Sequence, residues 1–445
     1  MRKITLFFIV SMILSGIFCN SCKKSSTSTT VTTPGVGEFV GSYAVYSKSD
    51  TIMDYFLKNK YTRITGTLEL YTSDDIDFKT YLANLTSVSG AVRLYKIRNT
   101  DLSFLSNVTK IVGDLQISAC PGLTSLAGLS KLDTLSNLIV ENNPKIVNLN
   151  GVGPITTLLN LTLTNNAALQ SLYGLNSVTS ITGNISINDN PVFGYLNGLS
   201  NVTTINGSVS IINNPLIASL QGLDGLKAID GNLSLSGLPA FSNLSALKNL
   251  NDTISSVLIS GCNNLTNLSG LDNLPYIRKD LRLVNCAKMA NLQGITKIDS
   301  IGGTLELSSL SAFSSFTGAS LLKAIGKDFR IAECNGMNSL AGLSKLDHIN
   351  GDFILDDNMK LSNLNGVDVL KKVGGKMQIL NNGSLVSLSG LTPLKTITGN
   401  IDIYYNPLLT NYCALKPDSY AGIVYIGYNS YNPTWAQIVA GNCSK

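Results

Sequence analysis

The 445-residue chain is short of charge: Asp, Glu, Lys and Arg make up 14% of it, against about 25% in an average soluble protein. Its net charge of +5 is spread thinly along the sequence. A nucleic-acid groove needs clustered Lys and Arg to displace counterions, and no such run occurs. Histidine is nearly missing. The one histidine, His348 in KLDHING, would have to serve any Ser-His-Asp or Cys-His arrangement, and its place at a turn between repeats reads as exposed surface. No nucleophile-elbow sequence is present, and the glycines are spaced by a long period instead of forming a phosphate-cradling loop. The adjacent carboxylates Asp74–Asp75 and Asp356–Asp357 would point to opposite faces of a strand, so neither pair converges. The expectation is a non-enzyme without cofactor or metal.

Apolar length is also limited. The N-terminal run Ile4–Phe18 spans 15 residues, short of the roughly 20 needed to cross a bilayer as a helix. Arg2 and Lys3 precede it and small residues follow, the pattern of a secretory signal. The ending SCKK resembles bacterial lipoprotein signals, in which a cysteine is lipidated and becomes the new N-terminus. That resemblance implies residues 1–21 as signal and Cys22 as the lipidated residue. Cys19 fits less well because Phe18 precedes it, and it occupies the position where the strict pattern prefers Leu. Lys23 in place of Asp implies the outer membrane in the Gram-negative pattern. Each buried acyl carbon contributes about 0.8 kcal/mol to such an anchor. Residues 22–37, rich in Ser and Thr, have nothing to bury and read as a flexible tether.

What the chain has in abundance is repetition. ITGNISINDNPVFGYLNGLSNVTT is followed directly by INGSVSIINNPLIASLQGLDGLKA. The pattern I-x-G-x-L-x-I starts at Ile64, Val88 and Ile111 and holds its phase to Val373 and Ile397, with a period of about 24 residues. Its alternation puts Leu233 and Leu235 on one face of a short strand. A turn follows, often Asn-Pro, and then L-x-G-L. One such unit cannot bury its own apolar side, whereas stacked units can. Fifteen strands spaced about 4.8 Å apart make a rod on the order of 70 Å long.

Three residues past the last strand apolar stands a column of Cys120, Asn143, Asn166, Asn190, Asn214, Leu238, Cys262, Cys286, Leu310, Cys334, Asn358, Asn382 and Asn406. An Asn amide both donates and accepts, so it can satisfy backbone groups left without strand partners where the chain turns inward. Cys fills the same slot as a small buried side chain with a weak donor. This column resembles that of leucine-rich repeats, L-x-x-L-x-L-x-x-N/C-x-L. Most units carry one residue more, usually beside the Gly, and this longer form resembles the L domains of insulin-type and epidermal-growth-factor-type receptors. The resemblance covers about residues 50 to 410. It implies a mainly β, right-handed parallel β-solenoid with a single strand per turn. Hormone binding does not carry over, because the cysteine-rich modules between paired receptor L domains have no counterpart in this sequence.

Solenoid ends need caps. Residues 38–63 are expected to form the N-terminal cap, with a helix in SDTIMDYFLKNKYTR whose Ile52, Phe56 and Leu57 cover the first coil. Residues 64–410 are expected to form the solenoid, and 411–445 an irregular C-terminal cap whose Tyr425, Tyr428, Tyr431 and Trp435 close the core, with a ligand platform as the alternative reading. Of the eight cysteines, two belong to the signal and four to the turn column. Cys413 and Cys443 remain, both in the C-terminal cap, and are expected to form a disulfide. Cys262 and Cys286 are neighbours across one coil, but without further ligands nearby they read as column residues and not a metal site.

A binding role would fall to the outward face of the sheet. It is bland in the middle coils (Asn184, Ser186, Ser208, Ser210) and charged in the later ones (Asp280, Arg282, Glu306, Asp328, Arg330, Asp352, Asp356, Lys376). Alternating charges on neighbouring strands commonly pair with one another. On the functional reading Arg282, Glu306, Arg330 and Asp352 are polar contacts, and Tyr71, Tyr95 and Tyr404 stack on a sugar. The sequence thus suggests a monomeric outer-membrane lipoprotein, exposed at the cell surface, that recognises an extracellular protein or glycan and touches the membrane only through its anchor. A periplasmic scaffold without a dedicated ligand and a polysaccharide-active β-helix enzyme are the alternatives.

Overall fold

The computed structural model describes residues 37–445. The signal, Cys19, Cys22 and the tether up to residue 36 lie outside the described residues. The rest is a parallel β-solenoid. Its long sheet runs in chain order from Tyr43–Val45 to Val424–Gly427, seventeen strands of three to five residues. Every pairing is parallel, and the register repeats from coil to coil: Leu161 sits beside Ile185, Ile185 beside Val209, and Val209 beside Leu233. The two terminal strands have one partner each. The ladder therefore extends one coil beyond the repeat at each end, into both segments expected to be caps.

The motif I-x-G-x-L-x-I explains the wall it builds. Its last two apolar residues face inward and are fully buried, as in Leu233 and Leu235 or Leu305 and Leu307. A one-residue slip would turn that whole set to solvent, so the alternation fixes the register. The leading Ile belongs to a second, two-residue strand in most coils. Ser180–Ile181, Thr204–Ile205 and Ala228–Ile229 pair in parallel with one another, so the single long strand per turn has a short companion on the adjoining wall. The glycine between the two strands is dictated by close approach: a Cβ on Gly207 would stand 2.4 Å from the carbonyl oxygen of Gly183 one coil below. The glycine of L-x-G-L answers to a different need. Gly222 has φ +107°, a region costly for residues with a side chain, and a Cβ there would lie 2.5 Å from the Leu196 carbonyl.

Leucines of the turn segment, such as Leu220, Leu223 and Leu226, close the third side and are buried. One continuous apolar column fills the interior from Val45 to Leu415. Each such side chain is worth about 1.5–3 kcal/mol against exposure.

Helix α1 (Ile52–Asn59) and helix α2 (Phe78–Leu82) flank the first coils. Helix α1 buries Met53 and Phe56 beneath Phe39, Tyr43 and Tyr61. Leu57, expected to cover the coil, instead points to solvent and is 40% exposed. One helical step separates it from Phe56, about 100° around the axis, and the buried stripe runs through Met53 and Phe56. At the other end helix α3 (Trp435–Val439) starts from a Thr434–Gln437 capping box. A disulfide joins Cys413 and Cys443, with Cα atoms 4.9 Å apart. Tyr412 is buried and donates to the Tyr431 carbonyl at 2.8 Å. Trp435 meets Tyr420 edge-on at 4.8 Å. Tyr425 and Tyr428 do not close the core: they are 42% and 71% exposed, because the added terminal strand turns Tyr425 outward in its alternation and Tyr428 stands in the turn beyond it. Among the described residues no helix is long and apolar enough to cross a membrane.

Candidate functional site

The turn after each long strand is organised by the Asn column. Asn143, Asn166, Asn190 and Asn214 are fully buried. Each Oδ1 accepts the backbone N–H of the equivalent residue one coil earlier: Asn143 serves Cys120 at 3.0 Å, Asn190 serves Asn166 at 2.9 Å, and Asn214 serves Asn190 at 3.1 Å. Each Nδ2 reaches a strand carbonyl of the previous coil, as Asn166 does to Val140 at 2.9 Å. Leu238 and Leu310 interrupt the chain of amides. It resumes at Asn358, whose Oδ1 accepts the Cys334 N–H at 3.0 Å, and continues through Asn382 and Asn406. It ends on Asn429, which accepts from the Asn406 N–H at 2.9 Å. Asn429 was not singled out in the sequence, although it lies 23 residues beyond Asn406, because Tyr420 replaces the leading Ile of its unit and no L-x-G-L follows it.

The cysteines of the column behave as weak donors. Cys120 Sγ reaches the Leu94 carbonyl at 3.7 Å and Cys334 Sγ the Leu307 carbonyl at 3.7 Å. Burial pushes their thiols up, Cys120 to about 11 and Cys334 to about 12. Cys262 is also driven upward, by its hydrogen bond with Cys286 and by burial. The thiols of Cys120, Cys262 and Cys334 therefore stay protonated at neutral pH. No group of three or more candidate metal ligands forms among the described residues.

The residue just before the column adopts the left-handed conformation in coil after coil. Asn142, Asn165, Asp189, Asn213, Asn285 and Asn381 have φ between 53° and 57°. Asn, Asp and Gly tolerate this region, and other residues pay about 1–2 kcal/mol. Glu333, Tyr405 and Tyr428 occupy it all the same, with φ of 56°, 57° and 56°.

A second side-chain ladder lies beside the glycine of I-x-G. Asn160 Oδ1 accepts the Asn184 N–H at 2.7 Å, Asn184 the Ser208 N–H at 2.8 Å, and Ser208 Oγ the Asn232 N–H at 3.0 Å. In later coils Asp280, Asp328 and Asp352 take over, accepting from Thr304, Asp352 and Lys376, each at 2.9 Å. Asp352 therefore serves the backbone, and its second oxygen faces Lys376 Nζ at 3.8 Å.

The charged stretch of the outward face pairs with itself. Arg282, Glu306 and Arg330 occupy successive coils of the central column. Glu306 stands between Arg282 at 3.5 Å and Arg330 at 3.6 Å, and Arg282 also meets Asp280 at 3.0 Å. His348 lies in a two-residue strand, His348–Ile349, and not in a turn. Its Nδ1 contacts Asp347 Oδ1, and its side chain is partly exposed.

Tyrosines gather at both ends. Tyr71 and Tyr95 stack at 4.4 Å with an interplanar angle of 11°, and Tyr46 lies 6.2 Å from Tyr71. Lys96 Nζ sits 5.1 Å from the Tyr95 ring centre. At the far end Tyr405 and Tyr428 stack at 4.8 Å and 12°. Tyr404 lies 6.3 Å from Tyr405, with its ring against Gly427. Its hydroxyl is held above the ordinary tyrosine range by burial, then by Asp402 and the neighbouring tyrosines. The two ends thus place Tyr71 with Tyr95, and Tyr404 with Tyr405, Tyr425 and Tyr428, separated by the polar middle coils.

Two troughs of the turn edge complete the surface. One, of about 480 Å³, runs over Pro191, Pro215 and Pro239 beside Asn165, Asp189 and Asn213. The other, of about 360 Å³, is lined by Asp357, Met359, Asn381, Gly383, Tyr405 and Pro407. The Asp357 carboxyl is held above its usual range by burial, then by Asp356 and Glu333.

Buried Asn slots, alternating apolar strands and one coil per repeat define a leucine-rich-repeat-type parallel β-solenoid. No family model and no curated protein matches the chain. Among solved structures, it is similar to a leucine-rich repeat protein from Bacteroides ovatus ATCC 8483, at 13% identity and TM-score 0.28, covering 81% of this chain and 78% of that one. It is also similar to TLR13 in its complex with ssRNA13, at 14% identity and TM-score 0.27, covering 84% and 72%.

Proposed function

We propose that this chain is a bacterial outer-membrane lipoprotein, lipidated at Cys22, whose solenoid recognises an extracellular protein or glycan without catalysing a reaction on it. The observation that carries the reading is the pairing of exposed, stacked tyrosines with a face whose charges are already satisfied. Tyr71, Tyr405, Tyr425 and Tyr428 offer aromatic surface to solvent, while Glu306 and Asp352 are committed to arginines and to backbone. A typical glycoside hydrolase needs a carboxylate with its proton or lone pair free toward substrate. A recognition surface needs only shape, ring faces and oriented polar groups. On this reading the protein acts as a monomer.

The test is protease shaving of intact cells combined with palmitate labelling of the wild type and Cys22→Ala. The proposal expects solenoid peptides from whole cells and label that vanishes in the variant. Peptides released only after the outer membrane is broken would point to a periplasmic scaffold, and label retained by Cys22→Ala would contradict the anchor.

A further inference from the structure

The C-terminal trough differs from its counterpart over Pro191, Pro215 and Pro239 in carrying an aromatic ring, Tyr405, and in having Met359 and Gly383 where the other has prolines. Tyr405 lines it, and Tyr428, outside the lining, stacks on Tyr405 at 4.8 Å. Both tyrosines stand in the left-handed column, where most coils place Asn, Asp or Gly. A bulky residue held in that region is an outlier, and such residues concentrate where the side chain serves a function. The floor is apolar. Met359 extends over Gly383, where a Cβ would meet its Cε at 2.8 Å, and Pro407 continues the floor. The walls are polar: the Asp357 carboxyl, and the Asn381 amide, which donates to Asp356 at 3.0 Å.

Resting on the recognition reading above, we propose that this trough binds a short stretch of a neutral glycan, with a pyranose ring stacked on Tyr405 and its hydroxyls bonded to Asp357 and Asn381. The ring supplies a flat apolar surface for sugar C–H groups, and the carboxylate and amide supply an acceptor and a mixed partner for hydroxyls. A volume of about 360 Å³ suits a small ligand segment. A folded protein partner needs about 800 Å² on each side, with a charge-poor core, which this trough does not provide. Asp357 is its one charged lining residue, with Asp356 and Glu333 acting on it, so an anionic polysaccharide is repelled.

The experiment is affinity gel electrophoresis of the detergent-solubilised full chain through gels containing soluble starch, mixed-linkage β-glucan, mannan, xylan or, as the anionic control, polygalacturonate. The proposal expects retardation by at least one neutral polysaccharide and none by polygalacturonate. Tyr405→Ala should weaken that retention at least tenfold, Tyr428→Ala by a smaller factor, and Tyr405→Phe little. Tyr428 is 71% exposed, so its substitution leaves the fold intact and carries the test even if Tyr405→Ala misfolds. No retardation by any neutral polysaccharide, or a preference for polygalacturonate, overturns the proposal. So does capture of a protein at this edge, sensitive to Tyr428→Ala, in place of polysaccharide. Retention that survives both tyrosine substitutions rejects this trough while keeping glycan recognition by the solenoid. Failure of whole-cell shaving instead strikes the surface reading beneath it.

Discussion

Replacing Asn214 by Leu tests the turn column at a point where every bond is accounted for. Asn214 Oδ1 accepts the Asn190 N–H at 3.1 Å and Asn190 Nδ2 at 3.3 Å, while its own Nδ2 donates to the Ile187 and Ile212 carbonyls at 2.8 and 2.7 Å. Asn214→Leu keeps the branched outline of the side chain, though it is bulkier, and strands the Asn190 N–H away from water. A buried donor without a partner costs about 1–3 kcal/mol. The two carbonyls lose a donor but each has a second lone pair, which limits their share. Apolar contact with Leu238, one coil on, offsets part of the loss. The expected result is destabilisation by about 2 kcal/mol, read from urea unfolding followed by circular dichroism. Asn214→Asp should be worse, because it keeps the acceptor, points an anion at two carbonyl oxygens and buries a charge. A Leu variant within 0.5 kcal/mol of wild type, or an Asp variant milder than Leu, would refute the role given to the amide.

Four other outcomes follow from the same geometry. Gly207→Ala should cost more than about 2 kcal/mol or prevent folding, since its Cβ would sit 2.4 Å from the Gly183 carbonyl oxygen; expression and thermal melting report it. Glu333→Gly should raise stability by about 1 kcal/mol by relieving a φ of 56°, despite losing the Ser309 hydrogen bond, and unchanged urea unfolding would count against the strain. Removing the disulfide in a Cys413→Ser/Cys443→Ser double variant should destabilise the C-terminal cap by about 2–4 kcal/mol, visible as faster proteolysis after residue 410. The raised carboxyl of Asp357 means that the folded state holds its proton more tightly than the unfolded chain. Its contribution therefore disfavours folding above the folded pKa and is relieved as pH falls through it, so Asp357→Asn should gain stability at pH 7 and lose that advantage in acid.

The period and the alternation were plain in the sequence because each depends on side chains that repeat: Leu233 and Leu235 declare a strand face, and Asn190 and Asn214 declare a turn. Less legible was whatever depends on backbone shape. The left-handed column can be read only weakly, since Asn142, Asn165 and Asn213 look like ordinary surface residues until their φ values are known. Asn184 and Ser208 looked like part of a bland exposed strip, and Asp352 like a ligand contact, because a side chain that caps the next coil's N–H has the composition of a solvated one. The terminal coils keep the spaced glycine, Gly41 and Gly422, but hid their strands because Phe39 and Tyr420 stand in place of the leading Ile and no L-x-G-L segment of the usual form follows. Leu57 was misplaced for a simpler reason: two adjacent apolar residues in a helix cannot both face a coil, and Phe56 takes the buried side.

At the candidate site, sequence alone brought Tyr71, Tyr95 and Tyr404 to the outward face. It did not reveal that Tyr405 and Tyr428 stack, since they lie 23 residues apart in a region where the repeat fades. Arg282, Glu306 and Arg330 were correctly adjacent, and their mutual ion pairs leave them less available to a ligand than their exposure suggests.

The most direct test of recognition is a photo-crosslinking scan on living cells. A benzophenone side chain is placed in turn at Tyr71, Ser210 and Tyr425, three positions on the central or adjoining columns of the outward face. The account predicts discrete adducts from one or both tyrosine-bearing ends and none from Ser210 in the polar middle. Adducts at none of the three, or equal labelling at all of them, would contradict a recognition surface confined to the aromatic ends.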